Sequence, residues 1–314
     1  MNLIRPYGFY YPTQVFCVDD DRGFLEGLEL ALRPHFPVKT ALNSVSVFEY
    51  FKRAPFPEDT LIERIPDEEL DSEFDCPLNL RISKIIDTAS DKKRHDEFSV
   101  LVVDHSMPEM TGFALCEALV NHPIKKIMLT GEQDHKLAAK AFNKGLIDYF
   151  IPKDQPNLTE HLIGIIALLQ QRYFEEKTGF VIKVARNLQG SFLESRDFLP
   201  KFNAFLYQYK IVEFYLLDVT GSFLGLDAEG NPYWFLVRSE AQMLDLVDLA
   251  QGGDDCAPDL FRALRNRERL VYFLTEAQRH LELNQWPQLA HPVHGRHEAF
   301  YVAWVEGPIS GFRS

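Results

Sequence analysis

At 314 residues the chain exceeds the size at which a single hydrophobic core stops growing, roughly 250 residues, so two domains are expected. Hydrophobic residues at 46% and charged residues at 25% exclude a disordered or fibrous polymer, and no apolar run reaches the roughly 20 residues of a membrane-spanning helix. A formal net charge of −13 opposes the attraction of Lys and Arg to phosphate backbones, which makes nucleic acid the less favoured partner.

The opening MNLIRPYGFYYPTQ has no basic stretch followed by an apolar one, so no secretory signal is read and the cytoplasm is the expected location. Cys17, Cys76, Cys116 and Cys256 lack CxxC spacing and are read as reduced structural residues. Val15 to Val18 is an apolar run that stops at Asp19, Asp20 and Asp21, the pattern of a buried strand with acids at its carboxyl end. A helix over 24–32, a strand over 38–42 and a helix over 45–51 follow. After the segment 54–97 come a strand over 99–103 ending in Asp104, a helix over 113–120, and a strand over 126–129 ending in Thr130. A helix over 136–143, a strand over 149–151 ending near Lys153 and a helix over 158–173 close the series. Five strands alternating with five helices imply an α/β fold with a doubly wound, five-stranded parallel sheet. The first domain is placed at 12–176, with 54–97 as an insertion, since such folds connect their elements in a few residues. The insertion starts acidic and Pro-rich, and its NLRISKIIDTA before DKKRH predicts a short helix. A solvated surface loop at the amino ends of the strands is expected, with a partner-docking excursion as the alternative.

Past Thr178-Gly179 the alternation stops, and 177–314 reads as an α+β domain with antiparallel strands. Asp197 is the expected cap of a helix running to about Tyr209, with Leu199, Phe202, Phe205 and Leu206 on one face. EFYLLDV, SFLGLD and YWFLV, separated by Thr220-Gly221 and Glu229-Gly230-Asn231, predict an antiparallel meander. Helices over 241–250 and 260–266 and strands over 270–274 and 299–305 complete the domain. His291, His294 and His297 stand three apart in HPVHGRH, but Pro292 and Gly295 predict a loop and no acid or Cys accompanies them, so metal binding is not expected there. Arg262, Arg265, Arg267 and Arg269 are read as a solvated face, with phosphate or RNA contact as the alternative. No catalytic set is seen in this half.

Ligands of a doubly wound sheet collect at the carboxyl ends of its strands. Those ends carry Asp19 and Asp20, Asp104, Thr130 and Lys153. Carboxylates converging on one pocket repel each other unless a divalent cation lies among them, and hard oxygen ligands favour Mg²⁺. A carboxylate beside Mg²⁺ can attack phosphorus while a Lys and a hydroxyl neutralise the equatorial oxygens.

On these residues the segment from 14 to about 175 resembles the receiver domains of bacterial response regulators: FCVDD, VLVVDHSMPEMTG, IMLTGE and DYFIPK occur in that family's order. The resemblance implies a flavodoxin-like fold with Asp104 as phosphoacceptor. It implies that Asp19, Asp20 and Asp104 hold Mg²⁺ with the backbone carbonyl of Ser106. Pro108 and Gly112 would shape the loop after the phosphorylated strand, and small Gly131 would leave the phosphoryl group accessible. Thr130 would be the switch hydroxyl, Lys153 the lysine pairing with the phosphoryl group, and Phe150 the switch aromatic. Two features depart from the family: Asp154 stands where Pro usually follows the lysine in a cis peptide, and the insertion is long. The expected partners are a histidine kinase or phosphotransfer protein, a second copy of the chain upon phosphorylation, and a downstream protein. The chain is not expected to be an enzyme beyond its own phosphorylation and dephosphorylation. The second domain is read as a protein-interaction or dimerisation module; the alternatives are a small-ligand or nucleotide sensor and a nucleic-acid-binding module controlling gene expression.

Overall fold

The computed structural model describes residues 4–53, 62–64, 78–80, 82–131, 135–187, 191–253, 256–273, 278, 280–296 and 300–307. The chain divides into two units, one of residues 11–59 and 91–177, the other of residues 1–10, 60–90 and 178–314. In chain order, β1 (Phe9–Tyr10) belongs to the second unit, and β2 (Gln14–Val18), α1 (Arg22–Leu32), β3 (Val38–Ala41) and α2 (Ser44–Arg53) to the first. Then β4 (Ile62–Arg64), β5 (Leu78–Leu80) and α3 (Ile82–Ser90) return to the second unit. A 3-10 turn over Lys92–Asp96 leads back into the first, through β6 (Phe98–Asp104), α4 (Gly112–Ala118), β7 (Lys125–Thr130), α5 (His135–Asn143) and β8 (Tyr149–Pro152). The last helix of the series, α6 (Leu158–Asn187), contributes residues to both units.

Among the described residues of the first unit, the strands pair in parallel in the order β3-β2-β6-β7-β8. Strand β6, FSVLVVD, is buried at every position, as a central strand must be when helices cover both faces. Successive side chains point to opposite faces. Phe16, Val18, Leu101, Val103 and Met128 pack with Leu115 of α4 in one cluster. Val15, Cys17, Val100, Val102, Ile127 and Leu129 pack in the other with Leu25, Leu28 and Leu32 of α1 and Leu162, Ile166 and Leu169 of α6. Each such side chain contributes about 1.5–3 kcal/mol on burial. Asp21 caps α1, its carboxylate accepting the Phe24 N–H at 3.1 Å. Helix α6 outruns the expected end at 173 because Phe174 is itself fully buried and the backbone continues helical through Glu175-Glu176-Lys177, where the apolar pattern breaks.

In the second unit the chain continues through α7 (Phe198–Gln208), β9 (Glu213–Leu216), β10 (Phe223–Leu226), β11 (Pro232–Ser239), α8 (Glu240–Gly252) and α9 (Pro258–Arg265). It ends with β12 (Arg269–Val271), a 3-10 turn over Leu283–Leu289, β13 (Ala290–Pro292), β14 (Gly295–Arg296) and β15 (Phe300–Glu306). Among the described residues one antiparallel sheet runs β1-β9-β10-β11-β15-β14. Helix α7 buries Phe198, Phe202, Phe205 and Leu206. The first three rings pack on Phe214, Phe223 and Phe235 of the sheet. Gly221 turns the β9–β10 connection at φ +114°, and a Cβ there would stand 2.8 Å from Phe198.

Three local expectations are corrected. Asp197 precedes α7 but makes no side-chain cap bond, because its own backbone is already helical at ψ −15°. The residues of HPVHGRH do not form a plain loop: His291 lies on β13 and Gly295 on β14, and Pro292 is tolerated at the end of an edge strand, where its missing N–H costs little. The insertion is more than a loop, since α3 forms as expected and packs on β9 of the second unit, and β4 pairs antiparallel with β5.

Candidate functional site

Parallel pairing brings the carboxyl ends of β2, β6, β7 and β8 to one rim of the first unit's sheet. Val18 is opposite Val103, Asp104 opposite Leu129, and Thr130 opposite Pro152. The residues that follow the buried runs therefore converge although they lie far apart in sequence.

Asp19 is 1% exposed; its Oδ1 accepts the Asp21 N–H at 2.9 Å and its Oδ2 lies 2.7 Å from Lys153 Nζ. Asp104 is likewise buried, with Oδ1 2.7 Å from the same ammonium and Oδ2 accepting the Ser106 N–H at 2.9 Å. Lys153 thus bridges two carboxylates. Its ammonium also lies 4.8 Å from the centre of the Phe24 ring, a contact that the sequence did not single out. The register of α1 after Asp21 was the available signal for it, since that register sets which α1 residue follows the acids.

Burial pushes the Asp19 carboxyl up from its ordinary range, and the nearby Asp104 charge adds to this, while the bonds from Lys153 and Asp21 oppose it. For Lys153 burial works against the charge, but the bonds to Asp104 and Asp19 outweigh it and raise the ammonium above its usual value. Lys153 is therefore protonated at neutral pH.

Asp20 is exposed beside this pair, and one oxygen each of Asp19, Asp20 and Asp104 lie within 4.8 Å of one another. Among the described residues no other acids, histidines or cysteines form such a group. Three carboxylates against one ammonium leave surplus negative charge, and all donors are hard oxygens, so the set fits a divalent cation such as Mg²⁺. Thr130 is fully buried at the end of β7, and its Oγ1 has no hydrogen-bond partner among the described residues. An unmet buried hydroxyl is costly and marks a place where an acceptor is wanted. Gly131 beside it is exposed.

The β6–α4 loop is held close to this rim. Gly112 N–H donates to the His105 carbonyl at 3.0 Å, and a Cβ at Gly112 would fall 2.1 Å from the Asp104 carbonyl oxygen. Only glycine fits there. Exposed Pro108 lies in the same loop, and Ser44 Oγ donates to the Met110 carbonyl at 2.6 Å. On the other side, Lys153 N–H donates to the Thr130 carbonyl at 2.9 Å, and no described peptide bond is cis, that between Lys153 and Asp154 included. Phe150 is half-buried on β8 opposite Met128, at the border of one core cluster and 6.4 Å from the Phe142 ring.

The second unit's candidates are not gathered in this way. His294 stacks on Trp304 at 5.8 Å, whereas His291 lies on β13 opposite Leu270, its imidazole lowered to about 4 by burial and by Arg269; His297 lies outside the described residues. Arg262 pairs with Asp259 and Arg267 with Glu240, so two of the four arginines are engaged by acids.

Residues 82–163 match the family model of the response regulator receiver domain. That span holds Asp104, Thr130, Phe150 and Lys153; Asp19 and Asp20 precede it, on the far side of the insertion. No curated protein matches the chain. The Legionella pneumophila response regulator LqsR is similar at 27% identity and a TM-score of 0.75, over 98% of this chain and 91% of that one. An adenylate cyclase structure from Rhodopirellula baltica is 20% identical with a TM-score of 0.38, over 56% of this chain and 99% of its own. The receiver domain of a LuxO repressor protein from Vibrio parahaemolyticus is 14% identical with a TM-score of 0.36, over 53% and 95%.

Proposed function

For a chain that carries a response regulator receiver domain, we propose that Asp104 accepts a phosphoryl group from a histidine kinase or phosphotransfer protein. The observation that carries this reading is the Lys153 ammonium set 2.7 Å from both Asp19 and Asp104 at the rim where Asp20 and the buried Thr130 hydroxyl also stand.

An Asp104 oxygen attacks phosphorus in line as the bond to the donor's imidazole nitrogen breaks, giving an acyl phosphate; the released imidazole takes up a proton. Lys153 moves its contact from the Asp104 carboxylate to the new phosphoryl oxygens, and Thr130 Oγ1 donates to another of them, which ends its unmet state. Asp19, Asp20 and Asp104 with the Ser106 carbonyl would hold Mg²⁺, which when bound neutralises their charge and that of the phosphoryl group. Movement of Thr130 and Phe150 then biases the face formed by α5, β8 and α6, on which a second phosphorylated copy docks in the cytoplasm, and the second unit passes the signal to a protein partner.

The test is incubation of the full chain with acetyl phosphate and Mg²⁺. A mass increase of one phosphoryl group that Asp104→Asn abolishes is expected; an unmodified protein, under these conditions and with a cognate kinase, overturns the reading. Size measurement with beryllofluoride in place of phosphoryl tests the dimer.

A further inference from the structure

Residues of the second unit line a half-open cavity of about 670 Å³, within the range of small-ligand sites, about 300–1,000 Å³. Ile86 of α3, Leu217, Leu246, Leu249, Phe273 and Trp286 supply an apolar wall. Asp218, Arg238 and Tyr272 supply a polar end.

These polar groups are unequally satisfied. Asp218 Oδ1 accepts the N–H groups of Gly221 and Ser222, each at 3.1 Å, and its Oδ2 accepts the Tyr272 hydroxyl at 2.8 Å. The carboxylate is used up by its own surroundings. Arg238 lies 3.6 Å from Asp218 Oδ2, too long for a hydrogen bond, and its guanidinium is 4.3 Å from the centre of the Tyr272 ring. Among the described residues its one hydrogen bond is a long one, from Nη1 to the Val237 carbonyl at 3.4 Å. Yet the side chain is only 13% exposed. A guanidinium carries five N–H donors in a rigid fork, so the donors that the Val237 carbonyl does not take are open to an anion in the cavity.

We propose that this cavity binds a small monocarboxylate with an apolar aryl or medium-chain body, the carboxylate forked on Arg238 and the body against Leu246, Phe273 and Trp286. A carboxylate matches the guanidinium fork in a bidentate pair. Asp245, exposed on the same lining, disfavours a second negative charge, which selects a monoanion over a nucleotide or other polyanion. The site is independent of Asp104 and of the phosphoryl chemistry proposed for it.

Octanoate and 3-phenylpropanoate, titrated into the full chain while tryptophan fluorescence is followed, test this, with octanamide and 3-phenylpropanamide as neutral counterparts. The acids should give a saturable change that Trp286→Phe abolishes, and should bind at least about tenfold tighter than the amides. Arg238→Gln should erase that preference. Leu249→Trp, at a position 59% exposed, should fill the cavity and weaken acid binding by about tenfold or more without lowering the melting temperature. No saturable change with either acid, equal binding of acid and amide, a signal that survives Trp286→Phe, or tighter binding of ATP than of either acid would each overturn the proposal. Should Arg238→Gln lose its native circular dichroism, the acid and amide pairs and Leu249→Trp decide the matter.

Discussion

Each unit holds a half-buried cation next to carboxylate, but the balance is opposite. At the rim of the first sheet, Lys153 is 2.7 Å from Asp19 and from Asp104 while Asp20 stands by, so negative charge is in surplus. In the second unit, Asp218 is consumed by two backbone N–H groups and Tyr272, and Arg238 at 3.6 Å is left with donors to spare. A carboxylate cluster held together by one ammonium suits a divalent cation and a phosphoryl group; an underused guanidinium over an apolar cavity suits an anion. The sign of the unbalanced charge, rather than the presence of charge, distinguishes the two sites.

Replacing Asp104 with Asn strikes the first site hardest, with the acyl phosphate formed from acetyl phosphate expected to fall below detection by mass spectrometry. The fold should be kept, since one like charge is removed from the cluster. Lys153→Met should lower stability in urea by about 2–3 kcal/mol, because Asp19 and Asp104 lose their shared partner; the side chain is 29% exposed, which places the loss below that of a fully buried pair. A variant as stable as the parent would mean that the ammonium is not what holds the two acids together.

Tyr272→Phe probes the second site more gently. It removes the hydroxyl donated to Asp218 Oδ2, and the unfolding free energy should drop by about 1–2 kcal/mol. If Arg238 closed its 3.6 Å gap to take the place of the hydroxyl, the loss would vanish and the guanidinium would no longer be in surplus.

The smallest effect concerns pH. The folded Asp19 carboxyl lies above its unfolded value, so its ionised form destabilises the fold; this penalty is complete above the folded pKa and absent below the unfolded value of about 3.9. Asp19→Asn should therefore raise the melting temperature slightly at pH 7, with a gain that shrinks as pH falls towards 4. A gain that grew towards low pH would reverse the assigned direction.

Much of the first site was legible because its geometry is local plus one rule. The apolar runs before Asp19 and Asp104 identify buried strands, and a doubly wound sheet sends all carboxyl ends to one rim, so residues from 19 to 153 could be read as one set. The need for Gly at 112 was legible as a motif, though only the 2.1 Å approach to the Asp104 carbonyl gives its reason. The ring of Phe24 near Lys153 is carried by the register of α1 after its Asp21 cap rather than by a residue at a strand end, and so it was not singled out.

By itself the sequence determined the alternating strands and helices, the acids at the strand ends and the meander of the second unit, all of which follow from short-range periodicity and turn chemistry. Tertiary structure alone decided that β1 and α3 join the second unit, and that Asp218 and Tyr272, 54 residues apart, meet beside Arg238. No periodicity encodes such pairings: they arise when separate elements bury their apolar faces together, and the polar groups are matched only by where that packing leaves them.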